Sequence, residues 1–160
     1  MSTTLYLIRH AATEALLAHP PRLEGRKHNS PLAKFGILQA AATRDFLANR
    51  TIHACYCSPM LRAVQTATIV AEPHQLAPLP LESLNECQMG KWEGMDWQQI
   101  RYLDALNYHR YIGNPAENGF PAGENLTQVA QRVTAAVEAI FERHPNQSIL
   151  VVSHHTVNRA

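Results

Sequence analysis

Three features of the sequence predict an α/β fold built on a mostly parallel sheet. Short apolar runs alternate with stretches of helical periodicity. Two of those runs end at a histidine, Ile8-Arg9-His10 and Val152-Ser153-His154, and a third ends at Ser58-Pro59. No internal repeat, low-complexity tract or linker divides the 160 residues, which suffice for one domain with a real core.

Residues 5–8 are an apolar run of strand length and form the first expected strand. Residues 11–31 show weak periodicity, a Pro20-Pro21 pair and Gly25, and read mostly as loop. A helix follows over residues 32–47. Its Leu38, Ala42 and Phe46 recur at helical spacing, with Ile37 and Ala41 beside them, so this stripe is expected to face the core. Residues 52–57 give a second strand. Ser58 and Pro59 suit a helix start, Ser as a cap and Pro in the first turn. That helix should run to about residue 71, burying Leu61, Val64, Thr68 and Ala71, and Pro73 stops it. Residues 79–84 contain Pro80, which limits them to an edge or a short strand. Residues 85–94 are irregular. Residues 96–111 read as one helix with Trp97, Ile100, Leu103 and Tyr108, and residues 114–123 as a loop. The clearest helix carries Leu126, Val129, Ala130, Val133, Val137, Ile140 and Phe141, and His144-Pro145-Asn146 ends it. Residues 148–152 are the clearest strand, with β-branched members.

The totals narrow the function. A net charge of +1 offers no basic field for nucleic acid or an anionic membrane, so a bound anion must be held by local groups. No apolar run is long enough to span a bilayer, and no basic segment followed by an apolar core marks a signal peptide. Cys55, Cys57 and Cys87 make no even disulfide framework, so a reduced, cytoplasmic setting is expected. The nine histidines include no HExxH pattern, and no CxxC occurs. His154 and His155 are neighbours that a strand would point to opposite faces. No metal and no organic cofactor are expected.

In open α/β sheets, ligands bind just beyond the carboxyl ends of the strands. If the three strands that end in polar residues are parallel neighbours, Arg9, His10, Arg62 and His154 meet at one edge. Such a set suits a phosphoryl group. Two guanidiniums can bind its oxygens in pairs, and a helix N-terminus adds backbone donors. A neutral imidazole is a competent nucleophile, and a second one can donate to an equatorial oxygen.

Five stretches, LIRHAAT, SPMLRAVQTA, LNECQMGKWEG, FPAGENLTQV and VVSHHTVNRA, resemble in order the motifs of the histidine phosphatase superfamily, also called phosphoglycerate mutase-like. The resemblance touches nearly the whole chain. It implies a three-layer sandwich with helices on both faces of the sheet. It implies a phosphate carried on His10, and a phosphate pocket made by Arg9, Arg62 and His154. It assigns general acid and base work to Glu86, with Glu82 and Glu93 as nearby competitors. Thr13 matches a phosphate-binding position, and Arg26 is a candidate for a substrate anion. A carboxyl in a partly closed loop beside Trp92 should have a raised pKa. The implied activity is hydrolysis of a small phosphomonoester through a phosphohistidine, in the manner of the family's small phosphatases. Mutase-type transfer, hydrolysis of protein phosphohistidine and a catalytically impaired phosphate-binding module are the alternatives.

Three positions depart from the family pattern. Ala11 follows the histidine where the family has Gly. Leu16 stands where an Asn commonly donates to phosphate. The chain stops six residues past His154, whereas the family usually continues with a helix and a strand, which would leave one side of the sheet uncovered. A homodimer is the default expectation for assembly.

Overall fold

Four short strands organise the chain, and their side-chain alternation builds its two main cores. The computed structural model describes residues 2–160. The strands are β1 (Thr4–Arg9), β2 (Ala54–Cys57), β3 (Leu79–Pro80) and β4 (Ser148–Ser153). They form one sheet in the order β1-β4-β2-β3, and every pairing is parallel. Seven α-helices connect or flank them among the described residues: α1 (Glu14–Leu17), α2 (Lys34–Leu47), α3 (Leu61–Ala71), α4 (Trp97–Leu103), α5 (Ala105–Gly113), α6 (Leu126–Arg143) and α7 (His155–Arg159).

Successive strand residues face opposite sides. Cys55, Cys57, Leu150 and Val152 therefore pack on one side, against Leu47 of α2 and Ala63, Ala67 and Val70 of α3. Ala54, Tyr56, Ile149 and Val151 pack on the other, against Ile140 of α6. Helices thus cover both faces, as the resemblance implies. A third apolar cluster, with Trp92 at its centre, joins Cys87 and Met89 to Ile100, Phe120, Val129 and Val157. Trp92 is edge-on to Tyr111 and Phe120 at centroid distances of 5.7 Å each. No described helix is long and apolar enough to cross a membrane.

The helix faces depart from the sequence reading. In α2, Leu38 is 67% and Phe46 74% exposed, while Gly36, Ala40 and Leu47 are buried. In α3, Leu61 and Thr68 face outward, and the buried face is Arg62, Ala63, Thr66, Ala67, Val70 and Ala71. The cause is steric. Both helices lie close to their neighbours, and small side chains permit that approach. A Cβ on Gly36 would stand 2.0 Å from the Ala12 carbonyl oxygen. Gly36→Ala is accordingly expected to cost about 1–3 kcal/mol of stability, as overpacking typically does; urea unfolding measures it.

Two helices replace the single one read over residues 96–111. Asp96 caps α4 in a reciprocal pair with Gln99. The break falls at Asp104, whose carboxylate accepts from the Trp92 indole N–H at 3.0 Å and from the Asn107 amide at 2.8 Å. The short β3 ends at Pro80, which suits an edge. Helices α1 and α7 fall where the sequence showed no periodicity to speak of.

Candidate active site

Strand register assembles the first part of the site. β4 lies between β1 and β2, with Arg9 opposite Ser153 and Cys57 opposite Val152. The ladder carries on one residue further. The His10 N–H donates to the Ser153 carbonyl at 2.9 Å, and the Ser58 N–H to the Val152 carbonyl at 3.0 Å. Arg9-His10, Ser153-His154 and Ser58 therefore leave the sheet side by side. The His10 and His154 rings lie 5.1 Å apart between centroids.

The protonation of His10 follows from its partners. Its Nδ1 is 2.8 Å from the Ala11 carbonyl oxygen, which can only accept, so Nδ1 carries the proton. Nε2 is then bare, and it accepts from Arg62 Nε at 3.3 Å. Burial pushes the His10 pKa down to about 3; the charges of Arg62 and Arg9 add to this, and the Ala11 hydrogen bond opposes it. The imidazole is neutral at neutral pH, with its lone pair on Nε2.

Arg62, in the first turn of α3, is 1% exposed. It donates to the carbonyls of His28 at 3.0 Å and Gly25 at 2.9 Å, which fix its guanidinium beside His10. His154 is fully buried. Its Nε2 is 2.7 Å from Ser58 Oγ, and its Nδ1 has no hydrogen-bond partner among the described residues. Burial, followed by the charge of Arg62, keeps its pKa well below the ordinary histidine value. That bare ring position lies 3.9 Å from Glu86 Oε2.

Glu86 comes from the irregular segment after β3. Its Oε1 accepts from the Cys87 N–H at 2.8 Å, which holds the rotamer. Burial raises its pKa to about 6, against the opposing effects of the Cys87 hydrogen bond and of Arg62, Arg9 and Arg132. Glu82 and Glu93 are engaged elsewhere. Glu82 accepts from Asn85, and Glu93 from the N–H groups of Lys27 and Met89.

Arg9, His10, Arg62 and Glu86 line one cavity of about 750 Å³. Arg9 is exposed at its wall. The rest of the wall is largely apolar, with Leu16, Leu23, Met89, Trp97, Tyr111 and Phe120. Thr13, Arg26 and the fully buried His154 do not line it. The Thr13 hydroxyl is fully buried, donates to Glu24 at 2.6 Å and caps α1 by accepting from the Leu16 N–H at 3.3 Å. The Arg26 guanidinium is turned to the Glu86 carbonyl at 2.6 Å and to the Glu124 carboxylate. Ala11 is not among the residues with positive φ, so the backbone here does not require glycine. The Ala11 N–H donates to Thr66 at 3.0 Å.

Four residues of this neighbourhood were not legible as parts of a site. Ser58 reads from sequence as a helix cap, yet it holds His154. Glu24 lines the cavity with one carboxylate oxygen buried and unpartnered. Glu124 and Arg132 buttress Glu86 from behind. The sequence offers no signal for Glu124 or Arg132, whose side chains are only partly buried and whose partners lie in other elements.

A parallel sheet whose carboxyl edge gathers two neutral imidazoles, two guanidiniums and a partly protonated carboxyl offers the groups that phosphoryl transfer uses. The whole of that arrangement falls within the match to one family. The chain belongs to the histidine phosphatase superfamily (branch 1), whose family model matches residues 5–160. It is 30% identical over 156 residues to phosphoserine phosphatase 1 of Hydrogenobacter thermophilus, covering 98% of this chain and 72% of that protein. It covers only 42% of the length of longer mycobacterial relatives. Among solved structures it resembles YhfR of Bacillus stearothermophilus, with a TM-score of 0.89, 32% identity and coverage of 98% of this chain and 76% of that one. It also resembles the α-ribazole phosphatase of Shigella flexneri, with a TM-score of 0.83, 31% identity and coverage of 96% and 75%. The chain is a phosphatase of this superfamily.

Proposed function

We propose that this chain hydrolyses small phosphomonoesters through a phosphohistidine formed on His10. The observation that carries the reading is the fixed tautomer of His10: a neutral ring, proton on Nδ1, lone pair on Nε2, beside a guanidinium and a cavity. The substrate's phosphoryl oxygens lie on Arg9 and Arg62, with the buried His154 ring behind them as a further donor beside His10. His10 Nε2 attacks phosphorus, the P–O bond to the alcohol breaks, and Glu86 gives its proton to the departing alkoxide. Water then attacks the phosphorus and passes a proton to Glu86. The P–N bond breaks, its electron pair returns to Nε2, and phosphate leaves. Positioning and preorganised charge supply the catalysis.

The apolar part of the wall supports a narrower statement of substrate. Leu16 contributes hydrocarbon to the cavity where the family pattern has an amide donor, and Trp97, Tyr111 and Phe120 add aromatic faces. The body of the substrate therefore carries apolar or aromatic surface. The names of the relatives, phosphoserine phosphatase and α-ribazole phosphatase, support a small phosphorylated metabolite.

The test compares two alkyl phosphates whose leaving groups are chemically alike, 2-phenylethyl phosphate and ethyl phosphate. Burying roughly 60 Å² more apolar surface is worth about 1.5 kcal/mol, so kcat/KM should favour the phenyl compound by about tenfold. Equal rates would overturn the apolar subsite. Absence of hydrolysis of both would overturn the phosphatase reading itself.

A further inference from the structure

Glu86 sits in a segment that has neither helix nor strand to hold it. Its position depends on a cluster of three charged side chains drawn from two distant parts of the chain. Arg26 comes from the loop after α1, Glu124 from the loop before α6, and Arg132 from α6. None of the three lines the cavity.

The contacts converge on the backbone of residues 83–88. The Glu86 carbonyl accepts from Arg26 Nε at 2.6 Å and from Arg132 Nη2 at 3.3 Å. The Ser83 carbonyl accepts from Arg132 Nη1 at 2.7 Å. Glu124 fixes both guanidiniums. Its oxygens accept from Arg26 Nη2 at 3.0 and 3.2 Å, and from Arg132 Nε and Nη2 at 3.0 and 3.1 Å. Glu124 also grips Gln88 twice. Its carboxylate accepts from the Gln88 N–H at 2.8 Å, and its own N–H donates to the Gln88 carbonyl at 2.8 Å. The neighbouring Gly123 permits this approach, since a Cβ there would lie 2.1 Å from the Gln88 oxygen.

We propose that Glu124, acting through Arg26 and Arg132, is a positioning residue for the proton donor Glu86. The peptide group on each side of Cys87 is clamped, and the Cys87 N–H in turn holds the Glu86 carboxyl. The role assigned to Arg26 therefore changes from substrate binding to alignment of the acid. Burial works against the charge on Glu124, but the Arg132 and Gln88 hydrogen bonds and the two guanidiniums outweigh it and keep the carboxyl below its usual range. The clamp stays ionised wherever Glu86 is changing its own protonation. A shift of about 1 Å at a reacting group can cost on the order of 100-fold in rate.

This inference rests on Glu86 being the proton donor, and the experiment separates the two. The substrates are 2-phenylethyl phosphate, whose alkoxide needs a proton, and 2,4-dinitrophenyl phosphate, whose phenolate leaves unaided. In Glu124→Gln, kcat/KM for the first should fall about 30-fold or more, and for the second less than about threefold. Glu86→Gln is the control. If it shows no such split, the assignment of Glu86 as acid fails. If it does, while Glu124→Gln lowers both substrates equally or neither, the positioning role is overturned. Should Glu124→Gln fail to fold by circular dichroism, Arg132→Lys is scored by the same split. It keeps the charge but lacks the paired N–H groups that reach Ser83, Glu86 and Glu124 together.

Discussion

His10→Ala should lower turnover of every phosphomonoester by about 10⁴-fold or more, because removal of a nucleophile eliminates the covalent route rather than weakening it. The substitution is mild for the fold. His10 is a buried polar ring, neutral, whose loss leaves the Ala11 carbonyl and the Arg62 Nε–H without their side-chain partner. Arg62 keeps its two backbone carbonyls, so the guanidinium stays in place. The variant should therefore still bind inorganic phosphate or vanadate through Arg9 and Arg62 while forming no phosphoenzyme. Rapid acid or alkaline quench after mixing with labelled substrate, read by protein-bound label, decides the point. Wild type should hold label that is acid-labile and alkali-stable, as a phosphoramidate is. Turnover surviving in the variant, or label of equal amount in both, would move the nucleophile elsewhere.

Glu86→Gln should lower kcat/KM for alkyl phosphates by about 10²- to 10³-fold, the usual worth of a positioned proton donor. Its pH dependence is the sharper readout. Burial raises the Glu86 pKa to about 6, so the carboxyl carries its proton below that pH and loses it above. Transfer to His10 requires the protonated form and should slow as pH rises through about 6. Release of phosphate from His10 requires the carboxylate and should slow as pH falls through the same value. Single-turnover experiments that separate the two steps should thus give opposite limbs around one midpoint. His10 contributes no limb there, because its pKa is lowered to about 3. The substrate's own second ionisation near pH 6 persists in the glutamine variant. Subtracting the variant's profile from that of wild type isolates Glu86. A difference profile with no limb near pH 6 would assign the proton transfer to another group.

The site was legible where chemistry interrupts a pattern. An apolar run that stops at Arg9-His10, and another that stops at Ser153-His154, mark strand ends with unpaired polar groups, and parallel pairing brings them together. Glu86 carries no such mark; among Glu82, Glu86 and Glu93, only family resemblance chose it, and geometry then gives the reason, since the other two are bonded to Asn85, Lys27 and Met89. Helix faces were read less well. Hydropathy singled out Leu38 and Phe46, whereas the contact is decided by how near two backbones can come, and there Gly36, Ala40, Ala63 and Ala67 win. The division at Asp104 depends on Trp92, twelve residues away, and the clamp of Arg26, Glu124 and Arg132 spans two loops and a helix. Neither has a local signature.

The carbonyl of Ala11 bears on how long the covalent state lasts. It holds a proton on Nδ1 of His10 before phosphorylation, and nothing in that contact changes when Nε2 bonds to phosphorus. On the proposed pathway the ring is then an imidazolium, and cleavage of the P–N bond expels a neutral imidazole rather than an anion. A neutral amine is far the easier group to expel. One backbone oxygen thereby keeps the phosphohistidine in its protonated, labile form, ready to give up the phosphoryl group as soon as an acceptor is in place.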